Sequence, residues 1–243
     1  RRRVRYAIDY RKTVMGDDFS ACRLIYGESD GFPGLTVDRF NDLLSCEVLS
    51  LGMELRKDLV YRLLKEELEK DGVRIRGLYE RNESRIRELE GLPTGKGWFD
   101  FGDGKDPGSP VTQIVENGIV YDVDVENGQK TGFFLDQKYN RLAVAKIARG
   151  KTVLDCFTHT GSFALNAALH GAAFVTAVDI SKNAVAMAEE NARKNHLEEK
   201  MEFIAADVFG LLPRLIEEKK HPYDLIILDP PAYGHGPDGE KWK

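Results

Sequence analysis

Cysteine is scarce in this chain. There are three, Cys22, Cys46 and Cys156, an odd number with no C-x-x-C spacing among them. Neither a disulfide framework nor a thiolate zinc site is to be expected, so the thiols read as reduced side chains in apolar strands and no metal is predicted. No apolar run approaches the ~20 residues that a membrane-spanning helix requires, and no charged-then-apolar leader opens the sequence. These absences point to a cytoplasmic protein with no membrane partner. Positive charge is also short: 35 Lys and Arg against 40 Asp and Glu give a net charge of −5. A nucleic-acid binder of this balance has to concentrate its cations locally, because phosphate contacts supply much of the affinity. Missing too is the G-x-G-x-x-G fingerprint that brings a pyrophosphate onto backbone amides at a helix N-terminus.

What the chain does contain is one well-formed βαβ pattern, KTVLDCFTHTGSFALNAALHGAAFVTAVD, over residues 151–179. A short apolar run ends on Asp155, and a turn-rich segment with a single glycine, Gly161, leads into a helical pattern over 163–170. A second apolar run then ends on Asp179. Parallel strands need such a crossover, and ligands of open α/β sheets sit outside the carboxyl ends of the strands, where both acids fall. An acid ending the second strand is placed to accept hydrogen bonds from ribose hydroxyls. One glycine without a phosphate loop suits a nucleoside lacking a diphosphate, which disfavours an NAD-linked oxidoreductase.

The rest of the pattern is read by periodicity and turn chemistry. Residues 1–50 predict strands, including the alternating VRYAIDY, with Gly27, Gly31, Pro33 and Gly34 as punctuation. Leu55, Leu59, Leu63, Leu64 and Leu68 predict a core-facing helix over 55–68. IRGLYER and residues 84–89 predict two further strands, and residues 91–110 a surface loop in which Trp98 and Phe99 either stack a base or, the preferred reading, form a local packing plug. VTQIVENGIVYDVDV predicts a hairpin turning at Asn117-Gly118. Asp136 is placed to cap a helix over 137–148. Ser181 caps the next helix, whose face is Ala184, Val185, Ala188 and Ala192. A third strand over 201–205, a helix over 208–218 and a fourth strand over 225–228 follow. Two arginine clusters, Arg1, Arg2, Arg3 and Arg5, then Arg74, Arg76, Arg81, Arg85 and Arg87, are either RNA-facing patches or solvated faces; Glu80, Glu83, Glu88 and Glu90 balance the second.

These blocks resemble the class I S-adenosylmethionine-dependent methyltransferases, and in particular the bacterial large-subunit ribosomal RNA methyltransferase I family, which makes 5-methylcytosine. RLIYGESDGFPGLTVDRF, LYERNESRIRELEG and NGQKTGFFLDQKYNR are similar to segments of that family upstream of its catalytic sheet. YDLIILDPPAY resembles its fourth motif. The resemblance implies S-adenosylmethionine as cofactor. Asp155, Phe157, Thr158, Gly161 and Ser162 would hold its methionine end, Asp179 the ribose, Ile180 the adenine ring and Asp207 the adenine amine. Phe134, Gln137 and Lys138 would complete the pocket or dock the linker. Asp229, Pro230, Pro231 and Tyr233 would surround the target base. His159 is read as a packed or capping residue in preference to a general base.

The fold class expected is α/β: a Rossmann-like class I methyltransferase domain over 128–243, its parallel sheet ending after the fourth strand, preceded by a smaller α+β domain over 1–127 that binds the RNA substrate. The predicted function is methylation of large-subunit ribosomal RNA at cytosine C5, with ribosomal RNA as partner and a second copy of the chain as a candidate one. Two alternatives stay open: a guanine N-methylating rRNA enzyme of the same fold, and a non-catalytic RNA-binding module with a retained cofactor pocket. Attack on C5 requires a cysteine that adds to C6; in the resembled family it lies on a strand later than any here, and Cys156 reads as buried packing.

Overall fold

The opening residues fold as a helix, not as the strand that the alternation of Val4, Tyr6, Ile8 and Tyr10 suggests. Helix α1, Arg2–Met15, buries Val4, Ala7 and Ile8, an i, i+3, i+4 set that a period of two cannot place on one side. Tyr6 and Tyr10 stay exposed, and Arg5 pairs with Asp9 one turn on. In the computed structural model, residues 1–218 and 222–230 are described, and they divide into two units, Arg1–Asp136 and the chain from Gln137 onward.

The first unit is built on a mixed sheet of five strands: β1 (Ala21–Tyr26), β2 (Leu35–Phe40), β3 (Leu43–Val48), β4 (Gly77–Asn82) and β5 (Gly95–Trp98), in spatial order β1-β2-β3-β4-β5. All neighbours are antiparallel except β3 and β4, which run parallel. Their crossover carries a one-turn helix α2 (Leu51–Glu54) and helix α3 (Lys57–Lys70). Strand β1 contains a bulge between Arg23 and Ile25, so that Arg23 faces Asp38, Ile25 faces Val37 and Leu24 is extra. One sheet face and helices α1 and α3 enclose the core, with Leu24, Ile25, Val37, Cys46, Tyr61 and Leu64 fully buried.

Three local predictions change here. The buried stripe of α3 is Val60, Tyr61, Leu64 and Leu68, while Leu55 and Leu59 are 74% and 62% exposed. Helix α2 stops at Glu54 and α3 restarts after Arg56, and the break shifts the phase of the leucine repeat. Residues 84–89 are no strand: Ile86–Leu89 is a helical turn, α4. It is held by Arg87, which is 2% exposed and donates to the carbonyls of Val48 and Pro93 and to Glu54. Within 91–110, β5 pairs with β4, and Trp98 and Phe99 make edge-on contacts with Tyr79 and Tyr61, each at 5.0 Å. They are packing plugs.

The arginines show where the cations go. Arg76 donates to Asp42 and to the carbonyls of Pro107, Ser109 and Val111. Arg81 donates to Glu83 and to the carbonyls of Val125 and Gly128. Arg1 and Arg5 pair with acids of α3 and with Asp71. Most of both clusters therefore ties loops to the sheet or α1 to α3.

The hairpin forms as expected from β6 (Val111–Glu116) and β7 (Ile119–Asp124), with Asn117 and Gly118 at φ 53° and 83°. Residues 125–133 return along the sheet's second face. Thr131 donates to Asp38 at 2.5 Å, Tyr79 to Glu126 at 3.1 Å, and Phe133 packs on Tyr121 at 5.1 Å. At Gly128 any side chain would collide with the carbonyl oxygens of Asp124 and Gly132. These contacts hold residues 127–136 in the first unit, and the division falls after Asp136, beyond the position read from the second Asn-Gly. Asp136 does not cap the next helix; it pairs with Lys130 at 3.3 Å, and Gln137 occupies the N-cap with its side chain accepting no helix amide.

The second unit contains α5 (Lys138–Ile147), β8 (Thr152–Cys156), α6 (Ser162–Leu169), β9 (Phe174–Asp179), α7 (Lys182–Lys194), β10 (Met201–Ala205), α8 (Val208–Glu217) and β11 (Leu225–Leu228). Among the described residues its four strands are all parallel, in order β10-β9-β8-β11. The chain steps outward from β8 to β10 and then returns to the other side of β8, which puts the topological switch point between β8 and β11. Ser181 caps α7 through Ala184 N, and Ala184, Val185, Ala188 and Ala192 are its buried face, as predicted.

Arg87→Met should destabilise the first unit by roughly 2–4 kcal/mol, since it strands two carbonyls and a carboxylate that the guanidinium now satisfies. The urea midpoint of the purified protein measures this; a change within error would mean that α4 is held by packing alone.

Candidate functional site

Four acids gather at the carboxyl edge of the parallel sheet. Asp155 is the penultimate residue of β8, Asp179 ends β9, Asp207 lies two residues beyond β10 and Asp229 follows β11. Sheet order sets them side by side as Asp207, Asp179, Asp155 and Asp229. The position is a consequence of chain direction: every strand of this sheet delivers its last residues to the same edge.

The turn between β8 and α6 is shaped against these acids. Phe157 and His159 sit at φ 62° and 50°, sparsely populated values for residues with side chains, and Gly161 at φ 81°. Such strain persists only where neighbours over-determine it, and here they do. Thr158 donates its amide to Val178 O at 2.9 Å and its hydroxyl to Asp155 Oδ2 at 2.7 Å. His159 N donates to Asp179 Oδ2 at 2.9 Å, and Asn191 Nδ2 holds Thr160 O at 3.0 Å. A Cβ on Gly161 would stand 2.9 Å from that of Ala188 on α7. This glycine allows close packing of turn on helix as well as the left-handed backbone.

Asp155 is 1% exposed, and the same Oδ2 also accepts from Ala164 N at 3.1 Å in the first turn of α6. It is thus a helix-capping acid at the bottom of the site. Burial pushes its carboxyl up to about 7, with the charges of Asp229 and Asp179 adding to the rise and the bonds from Thr158 and Ala164 opposing it. Asp179 is half-buried, and each oxygen accepts one backbone amide: Oδ2 that of His159 and Oδ1 that of Ser181, both at 2.9 Å. A carboxylate oxygen has two acceptor positions, so both can take a further hydroxyl. The His159 imidazole is driven below its usual range, by burial first and also by the Arg141 charge, against the pull of Asp179.

Asp207 is exposed and caps α8 by accepting from Phe209 N at 3.0 Å. Ile180 is 73% exposed at the end of β9. Phe157 meets Phe209 at 6.0 Å between ring centroids. Asp229 and Pro230 lie on the exposed end of β11, whereas Pro231 and Tyr233 fall outside the described residues. Gln137 accepts from Asn140, and Lys138 is buried at the start of α5. Phe134 belongs to the first unit, where the Lys130 ammonium lies 4.6 Å from its ring centroid. Asp155, Phe157, Thr158, Gly161, Ser162, Asp179, Ile180 and Asp207 thus converge on one edge of one sheet.

Two contributors carry no sequence signal of their own. Arg141 of α5 is 2% exposed, with its guanidinium 5.9 Å from the Phe163 ring, and its charge reaches His159. Phe209 belongs to an apolar helical stripe and is nonetheless 62% exposed beside the turn. Among the described residues, no three His, Cys, Asp or Glu side chains are grouped to hold a metal ion, and no helix is long and apolar enough to cross a membrane.

A parallel sheet ordered in this way, with an acid at each strand end and a turn built without a phosphate loop, offers hydrogen-bond acceptors to a nucleoside without a diphosphate. A family model described as S-adenosylmethionine-dependent methyltransferase matches residues 105–238, and the chain belongs to that family. Among its relatives, "Ribosomal RNA large subunit methyltransferase I" of Aeromonas hydrophila subsp. hydrophila is 40% identical over 234 residues, covering 96% of this chain and 57% of the relative. The protein of the same name from Aeromonas salmonicida is 41% identical over the same lengths. This chain thus spans a little over half of those relatives. Among solved structures, a candidate methyltransferase complexed with SAH superposes with a TM-score of 0.76 at 26% identity, covering 94% of this chain and 57% of that one. A candidate SAM-dependent methyltransferase from Streptococcus mutans gives 0.74 at 27%, covering 94% and 58%.

The Asp155 carboxyl makes a pH prediction. Its folded value lies above the unfolded one, so the native state holds the extra proton between the two, and stability falls as pH rises through that window. From pH 5 to pH 8 the ligand-free protein should lose about 2–3 kcal/mol from this group. Asp155→Asn keeps the acceptor for Thr158 and Ala164 and should flatten that part of the profile in paired denaturation curves. Parallel curves for the two proteins would show that Asp155 titrates at its ordinary value.

Proposed function

We propose that this chain forms the cofactor-binding and substrate-facing part of a methyltransferase acting on large-subunit ribosomal RNA, with C5 of cytosine as the target. The observation that carries the reading is the row of acids at the carboxyl edge, opposite a strained turn that presents no phosphate cradle. The residues fit S-adenosylmethionine. Its ribose hydroxyls and adenine amine are donors and meet acceptors, and its cationic methionine end suits a carboxylate whose burial otherwise raises its proton affinity. When bound, that group supplies an electrophilic methyl on a sulfonium.

The protein's task is then mainly positional, since in-line displacement needs little proton transfer and gains most from holding donor and acceptor in near-attack geometry. Asp179 would orient the ribose, its two backbone bonds keeping the carboxylate from rotating away. Asp155, Phe157, Thr158, Gly161 and Ser162 would hold the methionine end. Ile180 would cover the adenine and Asp207 accept from its amine, while Gln137 and Lys138 would complete the pocket or dock the linker. Asp229, Pro230, Pro231 and Tyr233 would border the target base. The first unit would carry the RNA.

The thiols bear on the target atom. Cys22, Cys46 and Cys156 are all buried. Burial pushes the Cys156 thiol up to about 11, with the neighbouring Asp155 adding to the rise; the Cys46 thiol is also raised by burial. None of the three is exposed where it could meet a base, so the nucleophile for C5 is sought outside them. A second reading is transfer to an exocyclic amine of guanine, which needs no thiolate because an Asp-Pro-Pro loop can hold the amine.

Asp179→Ala should weaken binding of S-adenosylhomocysteine by roughly 1.5–3 kcal/mol, the range for hydrogen bonds to a charged group. Calorimetry reads this, and an unchanged affinity would place the ribose elsewhere. For the reaction itself, tritiated methyl is followed into undermodified large-subunit RNA. These 243 residues should bind cofactor without labelling RNA, and a protein of the relatives' length should yield 5-methylcytosine. Label on guanine would establish the second reading.

A further inference from the structure

The first unit's sheet has a second face, turned away from α1 and α3, and its register arranges it in two rows. Arg23 pairs with Asp38, Asp38 with Ser45, Ser45 with Tyr79 and Tyr79 with Trp98. This row is closed: Asp38, Ser45 and Tyr79 are buried, and residues 125–131 lie along it through the bonds of Thr131 and Glu126. Two residues along β2 to β5, and three along the bulged β1, Tyr26 pairs with Thr36, Thr36 with Glu47, and Arg81 with Lys96. Cys46 pairs with Glu80, which sets Glu47 beside Arg81. This second row is open. It floors a polar basin of about 400 Å³ lined by Arg23, Thr36, Glu47, Arg81 and Lys130, among others.

The chemistry of the basin is mixed in a specific way. Arg23 and Lys130 bring donors, and Arg23 is fixed by a bidentate pair with Asp38 at 2.8 and 2.9 Å; Arg81 is held by Glu83, which also lines the basin, and by the carbonyls of Val125 and Gly128. The Glu47 carboxyl and the Thr36 hydroxyl bring acceptors from the floor. A bare phosphate offers only acceptors and would meet Glu47 as a like charge. A nucleobase edge offers both donors and acceptors, and its phosphodiester reaches the Lys130 side, where the lysine is 50% exposed. At the rim, Tyr26 is 56% exposed and the Arg23 guanidinium lies 5.4 Å from its ring centroid, an arrangement on which a base can stack. Pockets of a few hundred Å³ suit ligands of this size. Single strands are read by sheet faces that pair stacking aromatics with hydrogen bonds to exposed base edges.

We propose that this basin is a subsite for unpaired RNA, taking one nucleotide between Arg23, Glu47 and Lys130 with a neighbouring base stacked on Tyr26. The inference rests on the reading of the protein as an RNA methyltransferase and assigns RNA contact to residues outside the carboxyl-edge site. Glu47 is the residue that gives base preference, Lys130 the one that meets the backbone, and Tyr26 the platform.

The test is fluorescence anisotropy of the whole chain with a short labelled single-stranded RNA of mixed sequence, with the same RNA as a duplex, and with heparin as competitor. Tyr26→Ala should weaken single-strand binding about tenfold, and Lys130→Gln should lower the slope of log affinity against log salt by roughly one. Glu47→Gln should change the order of affinities for the four homopolymers. Each variant should keep the wild-type melting temperature and its affinity for S-adenosylhomocysteine. Unchanged RNA affinity in folded Tyr26→Ala and Lys130→Gln overturns the subsite, as does equal binding of duplex and single strand or displacement by heparin at equivalent charge. A wild-type protein that binds S-adenosylhomocysteine but no RNA sinks this inference alone; failure to bind the cofactor product sinks the reading beneath it.

Discussion

The Asp155 carboxylate binds three pieces of the second unit at once. It sits at the end of β8, takes the hydroxyl of Thr158 in the turn, and takes the amide of Ala164 in α6. A buried carboxylate left without donors would cost several kcal/mol or pick up a proton, so the turn has to fold over it. Once it does, Thr158 N reaches Val178 O and His159 N reaches Asp179. The geometry of the second acid is therefore fixed through the first. The residues at positive φ, Phe157 and His159, lie in the turn that these bonds hold.

The two units use charge in opposite ways. In the first, guanidinium groups satisfy loop carbonyls: Arg76, Arg81 and Arg87 each accept the role of a bridge between chain segments that share no ladder. In the second, carboxylates collect backbone amides at strand ends. The sum of −5 averages over both habits and says little about either. Local geometry decides which charges face outward.

Legibility from the sequence followed the same division. The βαβ unit, the Asn117-Gly118 hairpin and the Ser181 cap were readable because each depends on local chemistry: apolar runs, positive φ, a hydroxyl at an N-cap. The place of Asp155, Asp179 and Asp207 at the carboxyl edge was readable because chain direction alone carries a strand-end residue there. The failures were of tertiary origin. VRYAIDY alternates, yet packing on α3 selects Val4, Ala7 and Ile8. The leucines of 55–68 keep a helical period, but the break at Leu55-Arg56 resets which of them point inward. Asp136 has the right chemistry for a cap and lies one residue early, opposite Lys130. Arg141 could not be singled out, since nothing local marks a basic residue of α5 as buried beside Phe163.

The bulge in β1 amounts to an insertion held in storage. Leu24 and Ile25 both point into the core, where a regular strand would send one of them outward, while Arg23 and Tyr26 keep to the polar face. Losing either apolar residue would restore plain alternation without exchanging the faces. Strand β2 has no such slack: its register with β3 is unbroken from Leu35 to Phe40, and a one-residue loss there would turn every later side chain over. Length variation in this sheet is thus permitted at one address and forbidden next door.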